Sequence, residues 1–426
     1  MTSPEIHFQW RLRWPLGLLV LLAVTAVLLP HTVWNSLLLG LGGLYLVAWR
    51  WTRQLGQSLR GERTLRSGWV AVGDQLEETF VLVNHAAWPA LWVEVVDEAN
   101  VPGYRAHSVQ TVDGHGRQAW RRTAVCLQRG HFKLGPWRLR TGDPFGLFQV
   151  EICYPTAAEL IIHPPVQSNF HIPLPAGQRS GRARARQRAL RATVNAASIR
   201  PYVAGDPERW VHWPTTARRD DLFVRQFDLD ASGDIWILLD LAADVQVGTG
   251  LRGTEEHAVL LAATLTAQTL SQHRGVGLAS YGDEPRLVLP ARGEGQSWRM
   301  LRTLALVTAV GKTPLPEAPR DLQRIAKQGT AVIIITPNLD GDYLPHLLNL
   351  ARKGVSPHLL LFDRASFGDP HAPPHAAEAF KRTLTSMGFD AAVIQQGDIR
   401  QPEALLQPRT SWRVTPLGKA IRVRHD

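Results

Sequence analysis

Cysteine is nearly missing from this chain: Cys126 and Cys153 are the 2 among 426 residues. So low a count excludes a disulfide scaffold, and the pair lacks the spacing of a thiolate metal site. The 16 histidines are scattered, with no His-Glu-x-x-His pair, no Gly-x-Ser-x-Gly elbow and no cysteine beside a partner histidine. The common patterns for metal-assisted and nucleophilic hydrolysis are therefore lacking. Gly311-Lys312-Thr313 has the ending of a phosphate-binding loop, but Leu306 stands where the first glycine belongs. Pro314 also blocks the helix that such a loop must open. His212, beside Trp213, suits a packed helix position better than a catalytic base. With no catalytic constellation left, the chain is expected not to be an enzyme and to need no cofactor.

What is present begins with charge. The formal net charge is +10, and Arg179, Arg182, Arg184, Arg186, Arg188 and Arg191 supply much of it in one stretch. That placement speaks against nucleic acid as partner of the whole chain. It leaves either a solvated connector or a segment drawn to anionic lipid over Arg179–Arg191. Two long apolar runs stand near the N-terminus, expected as membrane spans over about residues 8–29 and 33–49, joined by Pro30-His31-Thr32. Each is near the ~20 residues a bilayer core requires. Trp10, Trp14, Trp34, Trp49 and Trp51 fall at the interfaces, and Arg11, Arg13, Arg50, Arg53 and Arg60 flank the pair while its loop has no Lys or Arg. The positive-inside rule then puts both termini in the cytoplasm.

A transmembrane hairpin over residues 1–51 is followed by short alternating runs, such as Thr79 to Val83, Leu91 to Val96 and Trp137 to Arg140. Turn residues separate them, so residues 60–176 are expected to form a β-sandwich of immunoglobulin-like type. Within it, Asp143-Pro144-Phe145-Gly146-Leu147-Phe148 reads as a structural corner, with Phe145, Leu147 and Phe148 filling the sandwich. Residues 177–233 then hold the arginine-rich linker and a dense motif. Gly205-Asp206-Pro207 is expected to cap and open a helix that carries Trp210 and Trp213 on one face and breaks at Pro214. Leu222 to Phe227 reads as a strand.

That motif, Arg-x-Tyr-x-x-Gly-Asp-x-x-Arg-x-x-x-Trp from Arg200, followed by Thr216-Ala217-Arg218 and Leu222-x-Val224-Arg225, resembles the bacterial family named domain of unknown function 58. Arg129 to Pro136 and Asp143 to Phe148 extend the resemblance upstream. Arg200, Tyr202, Asp206, Arg209, Trp213, Arg218 and Arg225 are candidates for docking an acidic protein face. The structural alternative pairs Arg209 and Arg218 with Asp206 or Asp228.

From residue 234 to 426 buried strands alternate with helices, the pattern of a doubly wound α/β domain. Strand ends carry Asp240, Tyr281-Gly282-Asp283, Thr336-Pro337-Asn338 and Asp363. The arrangement is similar to a von Willebrand factor type A domain, which the family resemblance also implies. Such domains hold a metal with Asp-x-Ser-x-Ser, a threonine and a further aspartate. Here Asp240, Asp244, Thr313 and Asp340 (or Asn338) fall at those positions, but Ala242 replaces a hydroxyl. A degraded site without tight magnesium binding is expected.

The resulting expectation is a multidomain, non-enzymatic adaptor on the cytoplasmic face of the bacterial inner membrane. The family resemblance implies a MoxR-type AAA+ ATPase as partner, with a transglutaminase-like membrane protein nearby. The alternative is a metal-dependent hydrolase, or a metal-dependent adhesion-type binding protein, using Asp240, Asp244 and Asp340.

Overall fold

The structure, a computed structural model, describes residues 4–65, 70–167, 172–173, 196–203, 208, 211–219, 221–227, 233–311, 313, 315–399, 409–414 and 420–425. The arginine-rich stretch 179–191 and the corner Gly205-Asp206-Pro207, with Arg209 and Trp210, lie outside the described residues. The chain divides into two compact units, residues 1–165 with 401–426, and residues 166–400.

The first unit starts with β1 (Glu5–Trp10), α1 (Trp14–Leu28) and α2 (Thr32–Ser58). By length and composition α2 is long and apolar enough to cross a membrane, whereas α1 is apolar but shorter. At ~1.5 Å per residue, α1 reaches only about 22 Å. The expected first span is corrected accordingly: residues 5–10 form a strand, antiparallel to residues 148–154, with Trp10 opposite Phe148. The period-two alternation of Ile6, Phe8 and Trp10 explains it. The expected second span ends at residue 49, yet α2 runs on to Ser58, burying Ala48, Thr52, Leu55 and Gly56. Gly56 permits a close approach, since a Cβ there would stand 2.8 Å from Val150 Cγ2.

The remaining strands of this unit are β2 (Leu59–Leu65), β3 (Val70–Ala71), β4 (Gln75–Asn84), β5 (Ala90–Asp97), β6 (Ser108–Val112), β7 (Arg117–Val125), β8 (Gly130–Leu134), β9 (Trp137–Gly142), β10 (Phe148–Tyr154) and β11 (Ala158–His163). They form three sheets, in the orders β1-β10-β9-β5-β6, β2-β4-β7 and β3-β11-β8. All neighbours are antiparallel except β3 with β11. These pairings establish a β-rich unit and not its immunoglobulin-like type. Phe80, Leu82, Leu139 and Ile152 are fully buried in it. The corner at Asp143 is confirmed as a hydrogen-bonded turn. One carboxylate oxygen accepts from the Phe145 and Leu147 N–H groups (2.8 and 3.3 Å), the other from Phe148 N–H (2.6 Å). Leu147 and Phe148 are buried, but Phe145 is 50% exposed, which corrects the expectation that all three fill the interior.

The second unit opens with β12 (Ala196–Pro201), α3 (Trp213–Arg219) and β13 (Phe223–Phe227), with β12 and β13 antiparallel. A doubly wound layer follows: β14 (Ile235–Asp240), α4 (Thr254–Ser271), β15 (Val276–Tyr281), β16 (Pro285–Ala291), α5 (Glu294–Leu306), α6 (Glu317–Ile325), β17 (Ala331–Thr336), α7 (Leu344–Arg352), β18 (Ser356–Phe362), α8 (Ala376–Ser386) and β19 (Asp390–Ile394). The sheet order is β16-β15-β14-β17-β18-β19, parallel except for the edge strand β16. Every residue of β14, β15 and β17 is buried, as a sheet covered on both faces requires. Ile237 and Leu239 join the core beneath α4 and α5, while Trp236 and Leu238 face α6 and α7 on the other side. A last hairpin, β20 (Arg409–Val414) and β21 (Ala420–His425), groups with the first unit.

Candidate functional site

In an open α/β sheet, ligand chemistry gathers beyond the carboxyl ends of the strands. Asp240, the last residue of β14, is 1% exposed there. Its Oδ2 accepts from the Thr336 hydroxyl at 2.5 Å, and its Oδ1 from the Ala242 N–H at 3.2 Å. Thr336 ends β17, the adjacent strand, so the parallel register itself brings the two together. The Thr336 hydroxyl in turn accepts the Asn338 N–H (2.9 Å), and Asn338 Oδ1 accepts the Asp340 N–H (2.7 Å). Beneath them the fully buried Tyr343 donates to the Asn338 carbonyl at 3.2 Å.

Burial pushes the Asp240 carboxyl up to about 6; the hydrogen bonds from Thr336 and Ala242 oppose the shift, and the charges of Asp244 and Asp342 add to it. Tyr343 is likewise raised, mostly by burial and then by Asp240. The loop after Asp240 is fixed in place as well. Gln246 donates to the Asp240 carbonyl (3.1 Å), and the Thr254 hydroxyl donates to Gln246 (2.7 Å). Ala243 N–H meets the Gly311 carbonyl at 2.9 Å, which draws the Thr313 segment to the same loop. Gly311 allows this, because a Cβ there would overlap the Gly282 carbonyl.

Of the four metal candidates, Asp240 alone is buried; Asp244 and Asp340 are exposed and Thr313 is half-buried. Both Asp240 oxygens already accept hydrogen bonds, and Ala242 offers no oxygen. The donor set does not fit a hard cation, which takes about six oxygens. No step through a metal follows from it. The sequence marks Thr336 only as a strand-end residue and Asn338 also as the alternative to Asp340 in the metal set, and it leaves Tyr343 unmarked. The strand-end rule was the available signal for the first two, and nothing in the spacing marks the third.

The seven candidate docking residues are only partly brought together. Arg200 stands opposite Val224 in the β12–β13 ladder, and Arg225 opposite Ile199. Tyr202 N–H donates to the Leu222 carbonyl (2.7 Å), which carries the ladder one step further. Trp213, 65% exposed, begins α3, and Arg218 lies exposed in its last turn. Here the expected helix is corrected: Pro214 lies in the first turn of α3 instead of breaking a helix, because the first-turn N–H groups have no intrahelical acceptor. His212 caps it, with Nδ1 2.8 Å from the Thr215 hydroxyl and 3.3 Å from the Thr215 N–H. Asp206, Arg209 and Asp228 are outside the described residues, and with them the expected helix cap and internal ion pairs.

Residues 198–360 match the family model described as Protein of unknown function DUF58. The chain is similar to the Uncharacterized protein YeaD of Bacillus subtilis, 23% identical over 314 residues that cover 70% of this chain and 75% of that one. It is also similar to the Uncharacterized protein Rv1480 of Mycobacterium tuberculosis, 30% identical over 121 residues covering 28% and 36% of the two chains. Among solved structures, a von Willebrand factor type A protein from Catenulispora acidiphila matches at 12% identity with a TM-score of 0.27, covering 41% of this chain and 40% of that one.

Proposed function

We propose, from the match of residues 198–360 to the DUF58 family model, that this protein is a membrane-anchored adaptor without enzymatic activity, held at the cytoplasmic face of the bacterial inner membrane. Support for the anchor comes from the apolar side chains left bare along the helix pair, among them Val20, Leu21, Val27, Leu39 and Leu46. An apolar surface of that extent is stable against lipid and not against water. With the positive-inside arginines, the pair is a hairpin with both termini cytoplasmic.

One observation carries the adaptor reading: Trp213 leaves 65% of its surface open on a helix that ends in Arg218 and Arg219. An exposed tryptophan beside arginines is the composition of an interaction hot spot. Its partner is an acidic face of a MoxR-type AAA+ ATPase, with a transglutaminase-like membrane protein in the same assembly, as the family resemblance implies. The β-rich unit, of immunoglobulin-like type, and the von Willebrand factor A-like unit are then binding scaffolds. The test is affinity capture with the tagged full chain from detergent-solubilised membranes, comparing wild type with Trp213→Ala. Recovery of a MoxR-type ATPase with wild type and its loss with the variant is expected. Absence of such an ATPase from the wild-type capture, or equal recovery with both, overturns the reading.

A further inference from the structure

The base of the helix pair carries chemistry that neither the fold nor the docking helix uses. The end of β1 is pinned to the Asp143 turn, since the Arg11 and Leu12 N–H groups both donate to the Leu147 carbonyl (3.1 and 3.4 Å). Arg13 then stands at the entry to α1. Between strand end and helix start lies a groove lined by Phe8, Gln9, Trp10, Arg13 and Leu16. A second groove, sharing Phe8, is lined by Trp49, Arg53 and Gln57. There the Arg53 guanidinium lies 5.0 Å from the Trp49 ring centre.

Two further facts set this base apart. Arg11, Arg13, Arg50 and Arg53 are all exposed, and among the described residues none has a carboxylate partner. Large aromatics are exposed beside them: Trp10, Trp14 and Phe145, the last pushed outward by the Asp143 turn. Unneutralised cations call for an anion, and the bare leucines and valines that begin at Leu16 call for hydrocarbon. An acidic protein face meets only the first demand. An amphiphile with an anionic head and acyl tails meets both, and tryptophan rings favour the depth at which head and tail join.

We infer that the base of the helix pair is a binding site for an acidic phospholipid. Its anionic headgroup sits at the two grooves, where Arg13 lines one and Arg53 the other, its acyl chains run along α1 and α2, and Trp10, Trp14 and Phe145 flank the ester region. This inference rests on the anchor reading and goes beyond it, because a helix pair can sit in a bilayer with no headgroup preference.

The experiment is native mass spectrometry of the full chain in a non-ionic detergent, titrated with equal amounts of phosphatidylglycerol and phosphatidylcholine. Wild type retains phosphatidylglycerol in preference to phosphatidylcholine. Each arginine near an anionic surface is worth roughly a fivefold gain, so Arg13→Gln with Arg53→Gln lowers the preference by on the order of tenfold or more. Arg13→Lys with Arg53→Lys keeps it, and so does Arg292→Gln with Arg299→Gln, two exposed arginines of the other unit. A wild type with no preference, or a preference that survives the paired glutamines, overturns the inference. So does displacement of the lipid by an equal concentration of inorganic phosphate, which would mark a free-anion site. Fractionation separates this from the anchor itself. A chain that stays in carbonate-washed membranes but shows no preference loses only the headgroup site, whereas a chain recovered in the soluble fraction overturns the anchor.

Discussion

Each unit buries carboxylate charge, a pair in the first and a single group in the second, and the two sites handle it in opposite ways. In the first unit Arg63 reaches both Glu78 (2.9 Å) and Asp97 (2.7 Å), while the Tyr104 hydroxyl donates to Glu78. Burial acts to lower the Arg63 pKa, and its hydrogen bonds to the two carboxylates more than reverse the effect. In the second unit Asp240 has no cation among the described residues, only a hydroxyl and a backbone N–H. A guanidinium between two carboxylates acts as a fixed bolt. A lone carboxylate held by neutral donors changes charge near neutrality instead. The first arrangement supports structure, and the second makes the carboxyl edge of the sheet sensitive to its surroundings.

The largest expected effect breaks the bolt. Arg63→Met leaves Glu78 and Asp97 buried without their cation and should destabilise the first unit by about 3–5 kcal/mol, read by denaturant unfolding in micelles. A loss under 1 kcal/mol would mean that water reaches the cluster and that the contrast fails.

The second prediction concerns pH. With its folded pKa raised to about 6, Asp240 binds its proton more tightly in the native state than in the unfolded chain. Its contribution is therefore fully present below the unfolded pKa near ~4 and is lost as pH rises through about 6. The difference is on the order of 3 kcal/mol. Asp240→Asn should flatten that part of the stability curve, and parallel wild-type and variant curves between those pH values would refute it.

Smaller still is Thr336→Val, which removes one of the two donors to Asp240 and should cost about 1 kcal/mol while moving the Asp240 titration upward. An unchanged titration would show that the hydroxyl is not the partner. Last comes an expected absence of effect: calorimetric titration of the full chain with magnesium should show no micromolar binding. Micromolar affinity that Asp240→Ala abolishes would turn the lone carboxylate into a metal ligand and favour the hydrolase or adhesion alternative.

Legibility in the sequence followed periodicity. The apolar runs of β14, β15 and β17 stood out because a sheet covered on both faces demands them. α6 was missed because Pro319 sits in its first turn, where it is tolerated but reads as a breaker. β1 was missed for the opposite reason: Phe8 and Trp10 of its alternating Ile6, Phe8 and Trp10 adjoin an apolar helix and fall within the expected span. Asp240 was legible as a strand-end carboxylate, but its partner depended on which strand lies beside β14. Arg63, Glu78, Asp97 and Tyr104 have no local spacing at all, since the pairing of β2 with β4 brings Arg63 near Glu78, while Asp97 comes from β5 in another sheet and Tyr104 from the segment that follows it.

α2 has a mechanical consequence. The helix runs from Thr32 to Ser58 without interruption, and its last turns are clamped at Gly56 against Val150 before the chain enters β2. No proline interrupts it, but Gly40, Gly42 and Gly43 lie between the exposed turn at Leu39 and the turns packed on the sheet from Ala48 onward. The turns from Ala48 to Ser58 thus move with the β-rich unit, and bending of the helix relative to the sheet is placed at Gly40, Gly42 and Gly43.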